Sequence, residues 1–350
     1  MRFIFLILFV SMMFAPHVQA QTAKVVILQY SHIGENRYTD TNISIDTFQS
    51  HINELSVGGY DVISLKEALR NLKDNTILEK DSVVITIDGG YKQSIENAKP
   101  ILDEAGFPFT VFFSPQNADV KAEAFLSWSD LKKLSRDKDI SLGIHPFTYT
   151  RVHEGNETDI KASINRAKTA FQKEFKEFPE IFAYPFGEYS STYKDIISKS
   201  GFKTGLTLNS GAAHAQSDLF SLPRFAMSES FGDIERFRLI TKSLPLAVKN
   251  FEPENLYLDN PDPAIGFNLH GKHANSDSLN CFISGFGLVE YTAIEGRVEI
   301  RSDEPFSETR TRLNCTMAGP KKNASDDPRW RWFGVLFTLQ PQLQRFELQE

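Results

Sequence analysis

From residue 24 onward, two hydrophobic periods alternate along the chain. Short apolar runs rich in β-branched and aromatic residues stand at 25–30 (VVILQY), 82–87 (SVVITI), 109–113 (FTVFF), 140–145 (ISLGIH), 181–184 (IFAY) and 203–208, and they read as strands buried on both faces. Between them lie amphipathic stretches with helical spacing. The first, 45–55, ends at Gly58-Gly59; 64–72 opens on Ser64 with Glu67 three residues on; 92–104 stops at Gly106. Three more follow at 127–134, capped by Ser127 or Ser129, at 159–175, and at 193–200, stopped by Gly201. Strands and helices in this order predict an α/β fold with a parallel sheet, open or closed, and a (β/α) barrel is the form we expect.

Beyond about residue 250 the helical period disappears. Pro and Asp cluster at 252–263, and short alternating runs follow at 265–269, 279–283, 298–301, 310–314 and 330–339. A small antiparallel β-domain over 256–350 is expected there, after a barrel domain over 21–255. A formal net charge of -7 offers no basic surface for nucleic acid or an anionic membrane.

The first twenty residues form a separate unit. Arg2, the apolar run 3–14 and the ending Val18-Gln19-Ala20 match a cleavable secretory signal, too short to span a bilayer comfortably. Export, to the periplasm or beyond the cell, is therefore expected, and no later run has the length of a membrane helix. Export also gives meaning to Cys281 and Cys315, the two cysteines of the chain. A disulfide is the simplest reading in an oxidising compartment, with a metal-binding or catalytic role as the alternative.

Chemistry in parallel α/β folds collects at the C-terminal ends of the strands. His32 follows the first strand, Asp88 the 82–87 run, His145 closes ISLGIH, and Tyr184, Pro185 and Glu188 follow IFAY. A carboxylate and two imidazoles converging on one rim form a candidate site. The alternative for Asp88 is a cap on the helix near Lys92 or an Asp-Gly turn, and a rim histidine is often structural.

Five blocks carry a family likeness: VVILQYSHI, FQSHINELSVGGYDVISLKEAL, SVVITIDGGYKQSIENAKPILDEAGFPFTVFF, SLGIHPFTYTRV and IFAYPFGEYSSTYKDIISKSGF, with Leu222-Pro223-Arg224 beyond them. In this order they resemble the polysaccharide deacetylases of carbohydrate esterase family 4, the NodB-homology domain. The resemblance implies a distorted (β/α) barrel that removes acetyl groups from an N-acetylated polysaccharide or oligosaccharide with a divalent metal of the zinc, cobalt or nickel type. It also implies catalytic roles for Asp88 and His145 and a sugar groove at His32, Tyr91, Tyr184, Pro185, Phe186 and Gly187. The tail, with Asn314-Cys315-Thr316 and residues 329–333 (RWRWF), is similar to a β-domain of some exported members.

The chain departs from that pattern at its metal ligands. The family's T-F-D-D-G appears as Thr86-Ile87-Asp88-Gly89-Gly90, which keeps the base as Asp88 and puts Gly89 at the metal-holding Asp. Of the H-x-x-x-H pair, His145 remains and Tyr149 stands at the second position. Ala183 occupies the place of an Arg that orients the base in many members, and Ser31-His32 stands where two adjacent histidines are expected. One imidazole alone holds zinc weakly. The expectation is a lost or weakened metal, or one rebuilt on His145 with His32, Tyr149, His153, Glu188 or His214. The family's final L-x-L-H is matched loosely by Phe267-Asn268-Leu269-His270, within the expected β-domain. Three functions stay open: a deacetylase with a rearranged site, a glycan-binding pseudoenzyme, and a structural or partner-binding role.

Overall fold

The computed structural model describes residues 22–270, 278–319, 329–341 and 343. The leader expected at 1–20 lies outside them. Seven parallel strands build the first sheet: β1 (Lys24–Tyr30), β2 (Tyr60–Val62), β3 (Asp81–Ile87), β4 (Phe109–Phe113), β5 (Ile140–Ile144), β6 (Ile181–Ala183) and β7 (Thr204–Leu206). They run in the order β1-β3-β4-β5-β6-β7, with β2 on the start of β3. The connecting helices include α1 (Ile45–Val57), α2 (Leu65–Asp74), α3 (Lys92–Ala105), α4 (Trp128–Leu134), α5 (Glu157–Phe175) and α6 (Ser191–Lys199). Their boundaries follow from caps. Ser64 and Ser127 accept from the amides of Glu67 and Asp130, and Asn156 caps α5, which starts at Glu157, two residues before the start expected from the pattern.

Alternation along each strand divides the core. Val83, Ile85 and Ile87 face one side and pack with Phe48, Ile52, Ile95 and Leu102 of α1 and α3. Val84 faces the other, with Val25, Ile27, Phe112, Ala183, Leu206 and Leu222. The sheet curls around this second face. Its edges are bridged by one short segment, in which Leu222 pairs with Leu206 and β8 (Phe225–Ala226) runs parallel to β1 at Leu28 and Gln29. This is the distorted (β/α) barrel expected from the sequence.

The chain then passes through α7 (Ile234–Thr241) into a two-sheet β unit. One sheet holds β9 (Val248–Glu252), β10 (Ile265–Leu269), β13 (Tyr291–Ile294) and β14 (Arg297–Ile300); the other holds β11 (Leu279–Ile283), β12 (Gly287–Val289), β15 (Arg310–Ala318) and β16 (Trp330–Leu339). The pairs named for these strands are antiparallel, and β9 already belongs to this unit, so the crossing precedes the 255/256 division read from the Pro-rich stretch. Cys281 and Cys315 are cross-strand partners of β11 and β15 and form a buried disulfide.

Candidate functional site

The C-terminal ends of the parallel strands form one rim. The Asp88 amide donates to Tyr30 O (2.8 Å), the His145 amide to Phe113 O (2.9 Å) and the Tyr184 amide to Leu206 O (3.0 Å), so each strand-end residue is fixed by its neighbour strand. Asp88 continues the inward set Val84, Thr86, Asp88. It does not cap α3, whose N-cap is Tyr91 without a side-chain bond. Its partner is Arg224, from the segment that bridges the barrel edges. Arg224 donates from Nη1 to Asp88 Oδ1 (2.7 Å) and from Nη2 to Oδ2 (2.8 Å), and also to Thr86 Oγ1 (3.1 Å) and Thr207 O (2.9 Å). Arg224 is 0% exposed and Asp88 3%. Such a bidentate, buried pair fixes both carboxylate oxygens.

Arg224 was missed by the sequence reading as a site residue. The signal available was one Arg between Pro223 and Phe225 in an otherwise apolar segment. It stands beside Asp88, to which Ala183 offers no side-chain donor.

His145 is held from the next strand. Its Nδ1–H donates to Ala183 O (2.8 Å), which leaves the Nε2 lone pair buried without a hydrogen-bond partner. Burial pushes the imidazole down to about 4, with the Asp88 charge opposing, so it is neutral at pH 7. Tyr149 stands edge-on to His145 (4.7 Å between centroids) and its oxygen accepts from the Phe186 amide (3.1 Å). Burial raises its phenol, and the Asp88 charge adds to the rise. His32 bonds Thr41 Oγ1 through Nδ1 (2.8 Å) and is clamped between the rings of Tyr38 (3.8 Å) and Tyr91 (4.0 Å); burial brings it down to about 4. Tyr91 is pushed up to about 12 by burial, then by Tyr38, Glu35 and Asp88.

Of the expected groove residues, His32, Tyr91 and Phe186 stand at the rim. Phe186 is half-buried in a positive-φ turn, packed on Tyr149 (4.7 Å) with the Arg151 guanidinium over its ring (4.2 Å). Tyr184, Pro185 and Gly187 are buried beneath it, and Tyr184 donates its hydroxyl to Phe220 O (2.9 Å). They support the rim more than they line it.

The ligand positions do not fit a divalent metal. Among the described residues no three His, Cys, Asp or Glu side chains come together as a ligand set. The rebuilt set expected around His145 is not assembled, for local reasons. Gly89 offers no side chain, Tyr149 remains a protonated phenol at pH 7, and His32 is fixed by Thr41 and two rings. Glu188 is tied to Arg151 and to Arg310 of the β unit (3.1 Å to the latter). His153 lies in a short 3-10 turn after the β5 loop, with Nδ1 buried and unbonded. His214 pairs with Lys24 at the start of β1, the opposite end from the rim, and His270 follows β10 in the β unit. The β unit touches the barrel through Arg310, which also donates to Phe186 O (2.8 Å), and through Arg312 to Leu208 O (2.8 Å).

Residues 75–205 match the polysaccharide deacetylase family model. The barrel is of the polysaccharide deacetylase type. The chain is 25% identical over 206 residues to the putative polysaccharide deacetylase YxkH of Bacillus subtilis, covering 59% of this chain and 72% of that protein. It is 26% identical over 201 residues to the poly-beta-1,6-N-acetyl-D-glucosamine N-deacetylase of Staphylococcus aureus, covering 54% and 68%. In fold, this deacetylase-type barrel is similar to the Streptococcus pyogenes deacetylase PplD (TM-score 0.58, 22% identity, 63% of this chain and 99% of that one). It is also similar to IcaB from Ammonifex degensii (TM-score 0.54, 22% identity, 61% and 95%). The family is generally metal-dependent, and this chain departs from its pattern at Gly89 and Tyr149, as well as at Ser31 and Ala183.

Proposed function

We propose that this deacetylase-like protein acts on an N-acetylated polysaccharide of the cell envelope, as an exported member of a family of hydrolases for carbon-nitrogen bonds. The observation that carries the reading is the Asp88–Arg224 pair. Asp88 corresponds to the family's general base, and a base must be held in one orientation to take a proton from a nucleophile. Arg224 supplies that orientation by an independent route, since Ala183 cannot. A neutral His145 with a free Nε2 lone pair is the second retained element. The Staphylococcus aureus relative, named for poly-β-1,6-N-acetylglucosamine, supports an acetylated amino-sugar polymer as the substrate class.

A second reading has its own observation. Gly89 and Tyr149 remove two donors of the family's metal, whose chemistry is to polarise the amide carbonyl and activate water. A rim that binds acetylated glycan without releasing acetate is consistent with that donor set. The deciding experiment uses the chain from Gln21 to Glu350 and β-1,6-linked N-acetylglucosamine oligomers, with acetate release and equilibrium binding measured side by side. Release that is lost in Asp88→Asn supports the hydrolase. Saturable binding without release supports the second reading, and neither signal rejects both.

A further inference from the structure

Gly89 is not an empty substitution. Its φ is +99°, and a Cβ built there would lie 2.2 Å from Tyr91 Cε2, 2.7 Å from Cδ2 and 2.9 Å from Cζ. The Tyr91 ring therefore fills the space into which any side chain at position 89 would emerge. It does so as part of a ring series: Tyr38 on His32 (3.8 Å), His32 on Tyr91 (4.0 Å) and Tyr91 on Phe125 (5.0 Å). Tyr38, Tyr91, Tyr149 and Phe186 all keep part of their surface in solvent, while Asp88 beside them is almost fully covered. The second lost ligand is also an aromatic, Tyr149, whose phenol senses both Asp88 and Tyr91.

We infer that the rim is a metal-free aromatic subsite: Tyr91 occupies the volume from which a carboxylate at position 89 would reach a cation, and an acetamido-sugar ring is held there by stacking, not by coordination. The sugar half rests on the glycan reading above; the metal half does not. Sugars present C–H faces that pack on aromatic rings, and partly buried tyrosines lose little conformational entropy on binding. A carboxylate could return at position 89 only with both a strained backbone and a displaced Tyr91.

The test has two arms. In the first, cobalt(II) is titrated into the protein and into His145→Ala, and the d–d absorption of the bound ion is followed. No difference between the two proteins is expected. One tightly held cobalt per chain, lost in His145→Ala, overturns the inference. In the second arm, binding of a β-1,6-linked N-acetylglucosamine hexamer is measured with and without EDTA, for the native chain, Tyr91→Phe and Tyr91→Ala. Binding insensitive to EDTA, retained in Tyr91→Phe and weakened about tenfold in Tyr91→Ala supports the inference. Loss on EDTA treatment, or a Tyr91→Ala protein that binds as tightly as the native one, overturns it. Thermal unfolding of Tyr91→Ala verifies that the variant is folded. A hexamer that fails to bind the native chain rejects the glycan reading and with it the sugar half, and the cobalt arm still decides the metal half.

Discussion

Arg224 and Asp88 are 136 residues apart in sequence and meet inside the barrel through two parallel hydrogen bonds. The pair joins the segment that bridges the barrel edges to the end of the central strand. A charge in this position is tolerated because its partner and Thr86 satisfy it. Removing one member leaves the other charged, buried and unpaired, which costs on the order of 3–5 kcal/mol. Arg224→Met is therefore expected to lower unfolding free energy by about that amount, and Arg224→Lys, which keeps the charge and loses the fork, by less. In the double variant Asp88→Asn, Arg224→Met the loss is smaller than the sum of the single losses. Urea denaturation of the four proteins reads the coupling, and strict additivity contradicts the buried pair.

The clash geometry at Gly89 gives a second double-mutant expectation. Gly89→Ala incurs backbone strain of roughly 1–3 kcal/mol at its positive φ, and its Cβ also meets the Tyr91 ring at 2.2 Å. In a Tyr91→Ala background the ring is gone and only the strain remains. The cost of Gly89→Ala should then drop by about 1 kcal/mol or more. Equal costs in both backgrounds would show that the ring yields freely.

How much of this was legible in the sequence depended on the range of the interactions. The parallel strands, the helix caps at Ser64 and Ser127 and the rim positions of His32, Asp88 and His145 follow from local period and capping, which the chain states residue by residue. The disulfide followed from two cysteines and an expected export. Arg224 was hidden because its meaning arises only when the barrel curls and brings residue 224 to residue 88. Rebuilding of the metal set looked open in one dimension, since the chain offers His32, His153 and His214 besides His145 and their linear order does not say where they lie. In three dimensions His32 is clamped by rings, and His214 pairs with the opposite end of β1. The division at 255/256 was misplaced for a related reason. The Pro-rich stretch is the visible break, yet Val248–Glu252 before it is recruited by long-range pairing with Ile265–Leu269.

The disulfide should stabilise the β unit through its unfolded state. Cys281 and Cys315 are separated by 34 residues, and closing a loop of that size is worth about 3–4 kcal/mol in the chain-entropy account. The pair Cys281→Ala, Cys315→Ala is expected to lose stability of that order. Because both cysteines belong to the β-unit core and not to the barrel core, protease susceptibility in the variant should rise first in the region after residue 244. Early cleavage within the barrel instead would argue that the two units unfold together.

His51 provides a pH test away from the rim. It is fully buried, its Nε2–H donates to Gly232 O (2.7 Å), and Nδ1 accepts from the Tyr30 hydroxyl (3.1 Å). Its ring also stacks on Phe237 (4.0 Å). Burial lowers its pKa, opposed in part by the Gly232 carbonyl; among the surrounding charges Arg236 lowers it further, while Glu229 and Asp233 raise it. The folded protein thus prefers the neutral ring, and the unfolded chain takes up a proton near pH 6.5. The unfolded state binds more protons below that value, so the contribution of His51 is complete above about pH 6.5 and declines as the pH falls through it. His51→Gln keeps a donor for Gly232 and cannot titrate. The stability advantage of the native chain over His51→Gln, measured by urea unfolding, should be larger at pH 7.5 than at pH 5.5. Carboxylates and the other histidines titrate in both proteins and cancel in the difference. An advantage that is constant with pH, or that grows on acidification, would mean that the buried imidazole is protonated in the folded state and that the Tyr30 hydroxyl does not donate to it.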